Sequence, residues 1–375
     1  MSETRARHFE PRPAEVAGVT FTLSGGCRGA PRPPAGWAAL VRRAAEVHGD
    51  VLDVAGMYGV PARAVPDGPV RVLEPSAAGL AALRRDAGSE ASRLRAAPGL
   101  PWDAAPGACD HVFLAPPAER GNARVRVELA AAARALRIGG HAWVLLERDR
   151  GAKRYEREAA AAIGPGEVVA RVKGFRLSRF RRSEAAAAEP VEPWQQFDTP
   201  RGPAEALAGT FASGKLDPGS ARLLQALDDA SPPCEGAEVL DLGCGWGPLA
   251  GWAARRGGRV TACDDDLAAV RSTARNVPTA RVVHADLDEG LASEARFDLV
   301  LVNPPFHLGA GVRVGLGEAM VATAVARLRP GGEAWLVANE ALPYEAVATR
   351  LGCEVGETAR SGGFKVWRAR RRSDR

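Results

Sequence analysis

Asn303-Pro304-Pro305-Phe306-His307 is the segment whose residue types point most directly to chemistry. An amine on an aromatic ring, or an amide nitrogen, is planar because its lone pair is delocalised, and it is a poor nucleophile for that reason. Two acceptors can change this by binding the two N–H groups: the Asn303 side-chain oxygen and the backbone carbonyl of Pro304. Held so, the nitrogen is drawn toward a pyramidal shape with its lone pair aimed at an electrophilic carbon. The fixed φ of proline keeps that carbonyl in place. Phe306 is suited to stacking on a target ring, worth roughly 1–3 kcal/mol per base, and His307 to positioning it. Removing one acceptor aimed at the transition state is expected to cost about 10²–10³ in rate. Taken alone, the same residues could be no more than a tight turn after a strand.

A second motif, Asp241-Leu242-Gly243-Cys244-Gly245-Trp246-Gly247, follows an apolar run and precedes a helical stretch with Leu249, Trp252 and Ala253. Its glycines permit a tight turn and close approach of backbone to a ligand. The spacing is G-x-G-x-G with an acid two places before the first glycine. That pattern favours S-adenosyl-L-methionine, which has no pyrophosphate needing the third-glycine geometry of a dinucleotide site. Asp264 closes the next apolar run, where a carboxylate can accept both hydroxyls of a ribose. Asp266 reads as the N-cap of the following helix. Asp286 follows the third run and could accept from an adenine amine, or be an ordinary strand-to-loop aspartate. Asp241, Gly243, Gly245, Gly247, Asp264 and Asp286 are therefore the candidate cofactor residues, and no metal is indicated.

The elements that must hold these groups form a βαβ pattern of a mostly parallel, doubly wound α/β sheet. Glu238–Leu242, Arg259–Cys263, Phe297–Val302 and Gly331–Ala338 read as strands one, two, four and five, and Gly363–Arg368 as a late edge strand. Leu267–Asn276 and Gly317–Arg327 read as helices. The pattern occurs twice. Val51-Leu52-Asp53-Val54 matches Val239-Leu240-Asp241-Leu242 at an offset of 188, and Asp110–Pro117 matches Asp298–Pro305 at the same offset. Leu136–Trp143 matches Leu328–Trp335 at 192. The expected organisation is a first copy over residues 1–182, a linker over 183–196 and a second copy over 197–375. Ala185–Ala188 could add a helical turn to that linker. The first copy has lost the chemistry. It carries Ala55-Gly56-Met57-Tyr58-Gly59 against the glycine loop and Ala115 against Asn303.

Composition agrees with a globular protein, 46% hydrophobic and 25% charged. No apolar run is long enough for a membrane helix, the first residues lack the core of a signal peptide, and the six cysteines show no paired spacing. A reducing cytoplasm is expected. Residues 1–190 hold 29 Lys+Arg against 21 Asp+Glu, a net +8, and the remainder 21 against 24, a net −3. That asymmetry suits an acidic partner such as nucleic acid, or an arginine bias, since only four residues are lysine. Arg171, Lys173, Arg176, Arg179, Arg181 and Arg182 are the candidate RNA-facing stretch, or a solvated strand.

Together with Phe211-Ala212-Ser213-Gly214-Lys215-Leu216-Asp217-Pro218-Gly219-Ser220, these motifs resemble the bacterial ribosomal RNA guanine-N2 methyltransferases, the small-subunit type above its large-subunit relative. The resemblance spans essentially the whole chain. It implies two tandem class I (Rossmann-like) methyltransferase domains, the N-terminal one degenerate, and methylation of a guanine N2 amine in 16S rRNA; the expected substrate is the assembled 30S subunit and the expected oligomeric state a monomer. It assigns the guanine to Asn303, Pro304, Pro305 and Phe306 and the cofactor to Gly243, Gly245 and Asp264. Lys215 and His307 are candidate substrate-positioning residues, while Asp217 before Pro218 reads as a helix N-cap. The alternatives are a 23S rRNA enzyme, a protein-glutamine or adenine-N6 methyltransferase, and a non-catalytic RNA-binding assembly factor. The glutamine and adenine enzymes usually carry Tyr where this chain has Phe306.

Overall fold

A computed structural model describes residues 2–27, 32–88, 92–184, 192–305 and 314–373. The chain forms two compact units, residues 11–194 and residues 1–10 with 195–375. The first ten residues therefore pack with the second copy, not with the first as the sequence reading has it. They form α1 (Glu3–Phe9). The linker helix expected at Ala185–Ala188 lies outside the described residues.

The unit of residues 11–194 contains a hairpin, β1 (Arg12–Val16) and β2 (Val19–Leu23), then α2 (Trp37–Ala44), β3 (Val51–Asp53), α3 (Val60–Ala64), β4 (Val70–Glu74), α4 (Ala77–Asp86) and β5 (Leu94–Pro98). It continues with β6 (Cys109–Leu114), α5 (Asn122–Ala135), β7 (Leu136–Glu147), α6 (Ala152–Ala162), β8 (Gly166–Val172) and β9 (Phe175–Arg181). The second copy repeats the plan. Its hairpin is β10 (Trp194–Thr199) and β11 (Gly202–Leu207), so the expected linker ends in a strand. There follow α7 (Pro218–Ala230), β12 (Glu238–Leu242), α8 (Pro248–Ala254), β13 (Arg259–Asp264), α9 (Leu267–Asn276) and β14 (Arg281–His284). The rest is β15 (Phe297–Val302), α10 (Val314–Arg327), β16 (Leu328–Asn339), α11 (Glu345–Arg350), β17 (Cys353–Ser361) and β18 (Phe364–Arg371).

Both seven-stranded sheets have one topology: β5-β4-β3-β6-β7-β9-β8 and β14-β13-β12-β15-β16-β18-β17. Five strands run parallel, and the last hairpin joins antiparallel. Each sheet is buried on both faces, which is why its central strands read as continuous apolar runs. Within them the period of two still decides the facing. Leu240, Leu242, Val300, Val302, Ala334 and Leu336 enter the core covered by α10. Val239, Leu299, Leu301, Trp335 and Val337 enter the core of α7 and α8, around Trp252. Truncating Trp252, fully buried there, is expected to cost about 3–5 kcal/mol.

Two expectations need correcting. The strand read at Gly363–Arg368 is β18, paired with β16 on one side and β17 on the other, so it is not an edge. The edge is β17, almost wholly exposed; it has no apolar alternation to betray it. The basic stretch is not one cationic face either. Arg176 binds Glu156 at 2.8 Å, Arg179 binds Glu167, and Arg182 is buried. Arg171, Lys173 and Arg181 remain exposed. All six cysteines are buried free thiols, and no described helix is long and apolar enough to cross a membrane.

Candidate functional site

The loops after β12, β13, β14 and β15 leave the carboxyl ends of neighbouring parallel strands, and strand order reverses between β13-β12 and β15. Open α/β sheets bind ligands at such a point. The loop after β12 turns at once: the amides of Gly243 and Cys244 both donate to the Cys263 carbonyl, at 2.9 and 3.1 Å. Gly243 has φ +81, and a Cβ there would lie 2.9 Å from Cε of Met320. Gly245, at φ +59, faces open space, with nothing within 4 Å of a Cβ. Gly247 caps α8 beside Thr273 and so serves packing. The Thr273 hydroxyl donates to the Gly245 carbonyl at 3.0 Å and the Asn276 amide to the Trp246 carbonyl at 2.7 Å. These α9 residues fix the loop, and the sequence reading missed them. Both lie on the second half of a helix whose periodicity accounts for them as ordinary packing.

Asp241 is fully buried. Its Oδ2 accepts from the Ala250 amide at 2.8 Å, while Oδ1 is buried with no hydrogen-bond partner. Burial raises its pKa to about 7; the Ala250 amide opposes the rise and the nearby Asp264 adds to it. A buried acceptor without a donor is costly, a cost that a cationic or N–H-bearing ligand would relieve. Asp264 is half-buried. Its oxygens accept from the amides of Gly245 at 3.0 Å and Asp266 at 2.9 Å, which points the carboxylate across the loop. Asp266 caps α9 by accepting from Ala268. Asp286, after β14, is buried and bonded through Oδ1 to Nε2 of His8 at 2.7 Å, a partner nothing in the sequence suggests.

Asn303 ends β15. Its Nδ2 donates to Oδ2 of Asp217 at 3.0 Å and to Oγ of Ser220 at 2.8 Å. The opposite amide orientation would set Oδ1 against a carboxylate, so the network fixes the side chain. Oδ1 is left buried and without a partner. This is an oriented acceptor awaiting a donor. Asp217 also caps α7, accepting from the Ser220 amide at 2.9 Å, as its place before Pro218 implies; the clamp on Asn303 is a second duty that spacing alone does not disclose. Pro304 is buried and Pro305 exposed. Lys215 is exposed, and no described side chain pairs with it. Phe306 and His307 lie outside the described residues.

In the other unit the matching groups are closed off. Asp53 accepts from Ala55 at 3.0 Å and from Ala62 at 3.1 Å. Glu74 accepts from Tyr58 and Ser76. Met57, opposite Gly245, is 1% exposed, and Ala115, opposite Asn303, belongs to the core.

The sheet order, the glycine loop and the Asn-Pro-Pro turn define a class I methyltransferase fold, built twice, with a complete set of polar groups in one copy. The methyltransferase small domain family matches residues 204–368. Ribosomal RNA small subunit methyltransferase C of Chromohalobacter salexigens is 36% identical over 165 residues, 44% of this chain and 50% of that protein. The protein of that name from Pseudomonas entomophila is 33% identical over 250 residues, 63% of this chain and 73% of its own. The solved T. thermophilus 16S rRNA N2 methyltransferase, in complex with AdoMet and guanosine, superposes with a TM-score of 0.85 and 34% identity, over 98% of this chain and all of that one. The chain belongs to the ribosomal RNA small subunit methyltransferase C family. Its match to the Chromohalobacter relative spans half of that protein's length.

Proposed function

We propose that this chain transfers a methyl group from S-adenosyl-L-methionine to the exocyclic N2 amine of a guanine in 16S rRNA, within the assembled 30S subunit, acting as a cytoplasmic monomer. The observation that carries the reading is the orphaned, oriented Oδ1 of Asn303 together with the orphaned Oδ1 of Asp241, at the ends of neighbouring strands. The first fits a substrate amine and the second a cationic cofactor. Asp241, Gly243, Gly245, Asp264 and Asp286 would hold the cofactor, and Gly247 would shape the loop. When bound, it supplies an electrophilic methyl carbon on a sulfonium. The similarity to a structure solved with AdoMet and guanosine supports both assignments.

The remaining work falls to the chain. Asn303 Oδ1 and the Pro304 carbonyl accept the two N–H groups of the guanine amine and weaken its conjugation with the ring. Asp217 and Ser220 keep the acceptor facing the amine. Pro304 and Pro305 restrict the backbone, and Phe306 stacks on the base, which must leave its helix to enter such a site. No general base is required, because the methylated nitrogen is acidic enough to release its proton to water. Lys215 and His307 position the substrate. The unit of residues 11–194, with its excess of arginine, docks rRNA phosphates, a contact that weakens with salt.

The test is methyl transfer from labelled cofactor to purified 30S subunits, 50S subunits and a release factor, followed by nucleoside analysis. Label recovered as N2-methylguanosine in 30S rRNA supports the proposal. Label in 50S rRNA, in protein or as methyladenosine refutes the substrate assignment and leaves the cofactor assignment standing.

A further inference from the structure

The first helix reaches the far end of the same site. Ser2 caps α1 by accepting from the Arg5 amide. Phe9 packs on the core that α10 covers. His8, 5% exposed, bonds Oδ1 of Asp286 from Nε2 at 2.7 Å. Arg5 bonds Oδ1 of Asp288 at 2.6 Å, and the other oxygen of Asp288 takes Nε of Arg327 on α10, also at 2.6 Å. Between the two carboxylates Leu287 holds φ +52. A residue with a branched side chain keeps that conformation only where its surroundings over-determine it. The loop of residues 286–288 is therefore gripped by α1 from one side and α10 from the other.

Asp286 follows a strand whose last residue, His284, pairs with Asp264. With Asp264 on the ribose, Asp286 lies one strand further along, at the base. Its Oδ1 is committed to His8, and among the described residues none bonds Oδ2. We infer that His8 is a positioning residue for the cofactor's adenine: by holding Oδ1 it sets Oδ2 toward the exocyclic amine, so that preference for adenine is determined in part from the first helix. This rests on the S-adenosyl-L-methionine reading and on Asp286 as the amine's acceptor.

The experiment titrates full-length protein with S-adenosylhomocysteine and with S-inosylhomocysteine, which carries a carbonyl where adenine has its amine. Wild type is expected to favour the adenosyl compound by about 100-fold, since the inosyl carbonyl would face a carboxylate. His8→Leu keeps an apolar side chain in the packing but removes the donor. It should lower that preference to roughly tenfold, with kcat at saturating cofactor little changed. His8→Gln, which retains an N–H donor, should restore most of it. Asp286→Asn should abolish or invert it. Preference lost in Asp286→Asn but intact in His8→Leu overturns the role of His8 and leaves Asp286 as acceptor. Preference intact in both overturns both assignments, and wild type binding neither compound overturns the cofactor reading itself. Should His8→Leu fail to fold, His8→Asn, whose shorter side chain withdraws the donor from Asp286, carries the test: an unchanged preference there overturns the inference.

Discussion

Asp53 ends β3 and Asp241 stands one residue before the end of the matching β12, each accepting a hydrogen bond from the helix that follows, Ala62 in one case and Ala250 in the other. Burial raises both, to about 6 for Asp53 and about 7 for Asp241. They differ in one oxygen. Asp53 uses its second oxygen on the amide of Ala55, two residues on; the corresponding amide of Gly243 donates instead to Cys263, and Oδ1 of Asp241 is stranded. The same division recurs beyond this pair. Met57 fills space where Gly245 leaves it open, and Ala115 joins the core where Asn303 presents an acceptor. At these positions the first copy satisfies its polar groups internally while keeping the strand order. The second copy leaves Asp241 Oδ1 and Asn303 Oδ1 unsatisfied, which costs stability unless a ligand supplies the missing donors.

The contrast can be broken most sharply at Asn303. Asn303→Ala is expected to lower the single-turnover methylation rate about 10²–10³-fold with cofactor affinity unchanged, whereas Ala115→Asn, placing the acceptor in the other copy, should add no activity. Next in size is the clamp. Asp217→Ala removes one of the two acceptors that orient the Asn303 amide and should reduce kcat about tenfold, with about 1 kcal/mol of stability lost from the α7 cap. Steady-state kinetics with urea unfolding would separate the two effects. A smaller effect distinguishes the two aspartates. Asp53→Asn turns an NH₂ group toward a backbone amide and should cost roughly 1–3 kcal/mol. Asp241→Asn can place its oxygen on Ala250 and its NH₂ at the empty position, so at low pH, where the wild-type carboxyl is protonated, its unfolding midpoint should hold while calorimetry shows weaker cofactor binding.

A further effect is in pH. A carboxyl raised from 3.8 to about 7 in the folded state binds its proton more tightly there than in the unfolded chain. Its contribution is therefore fully present below pH 3.8 and is lost as pH rises toward about 7. Asp241→Asn should flatten that decline in thermal midpoints measured across the same range.

Much of this was legible in the sequence where one local pattern did one job. β12 and β15 read correctly to the residue because central parallel strands are apolar throughout. The repeat disclosed the paired folds because Asp53 and Asp241, and the two Leu-Arg-x-Gly-Gly turns, keep their spacing. Illegible features were those made by distant partners or by exposed backbone. His8 and Asp286 meet across 278 residues, and α1 by itself is a short charged helix with no hint of which unit it joins. β17 is held by hydrogen bonds to β18 along an exposed face, so its side chains carry no burial signal. The arginines of β9 looked like one cationic run because their partners, Glu156 and Glu167, come from neighbouring elements.

The division of labour between the copies is tested most directly by the number of cofactor molecules the chain holds. Calorimetric titration with S-adenosylhomocysteine is expected to give one molecule per chain in the wild type, binding lost in Asp264→Ala, and full binding in Glu74→Gln. Two molecules per chain, or binding that survives Asp264→Ala and disappears in Glu74→Gln, would contradict the account.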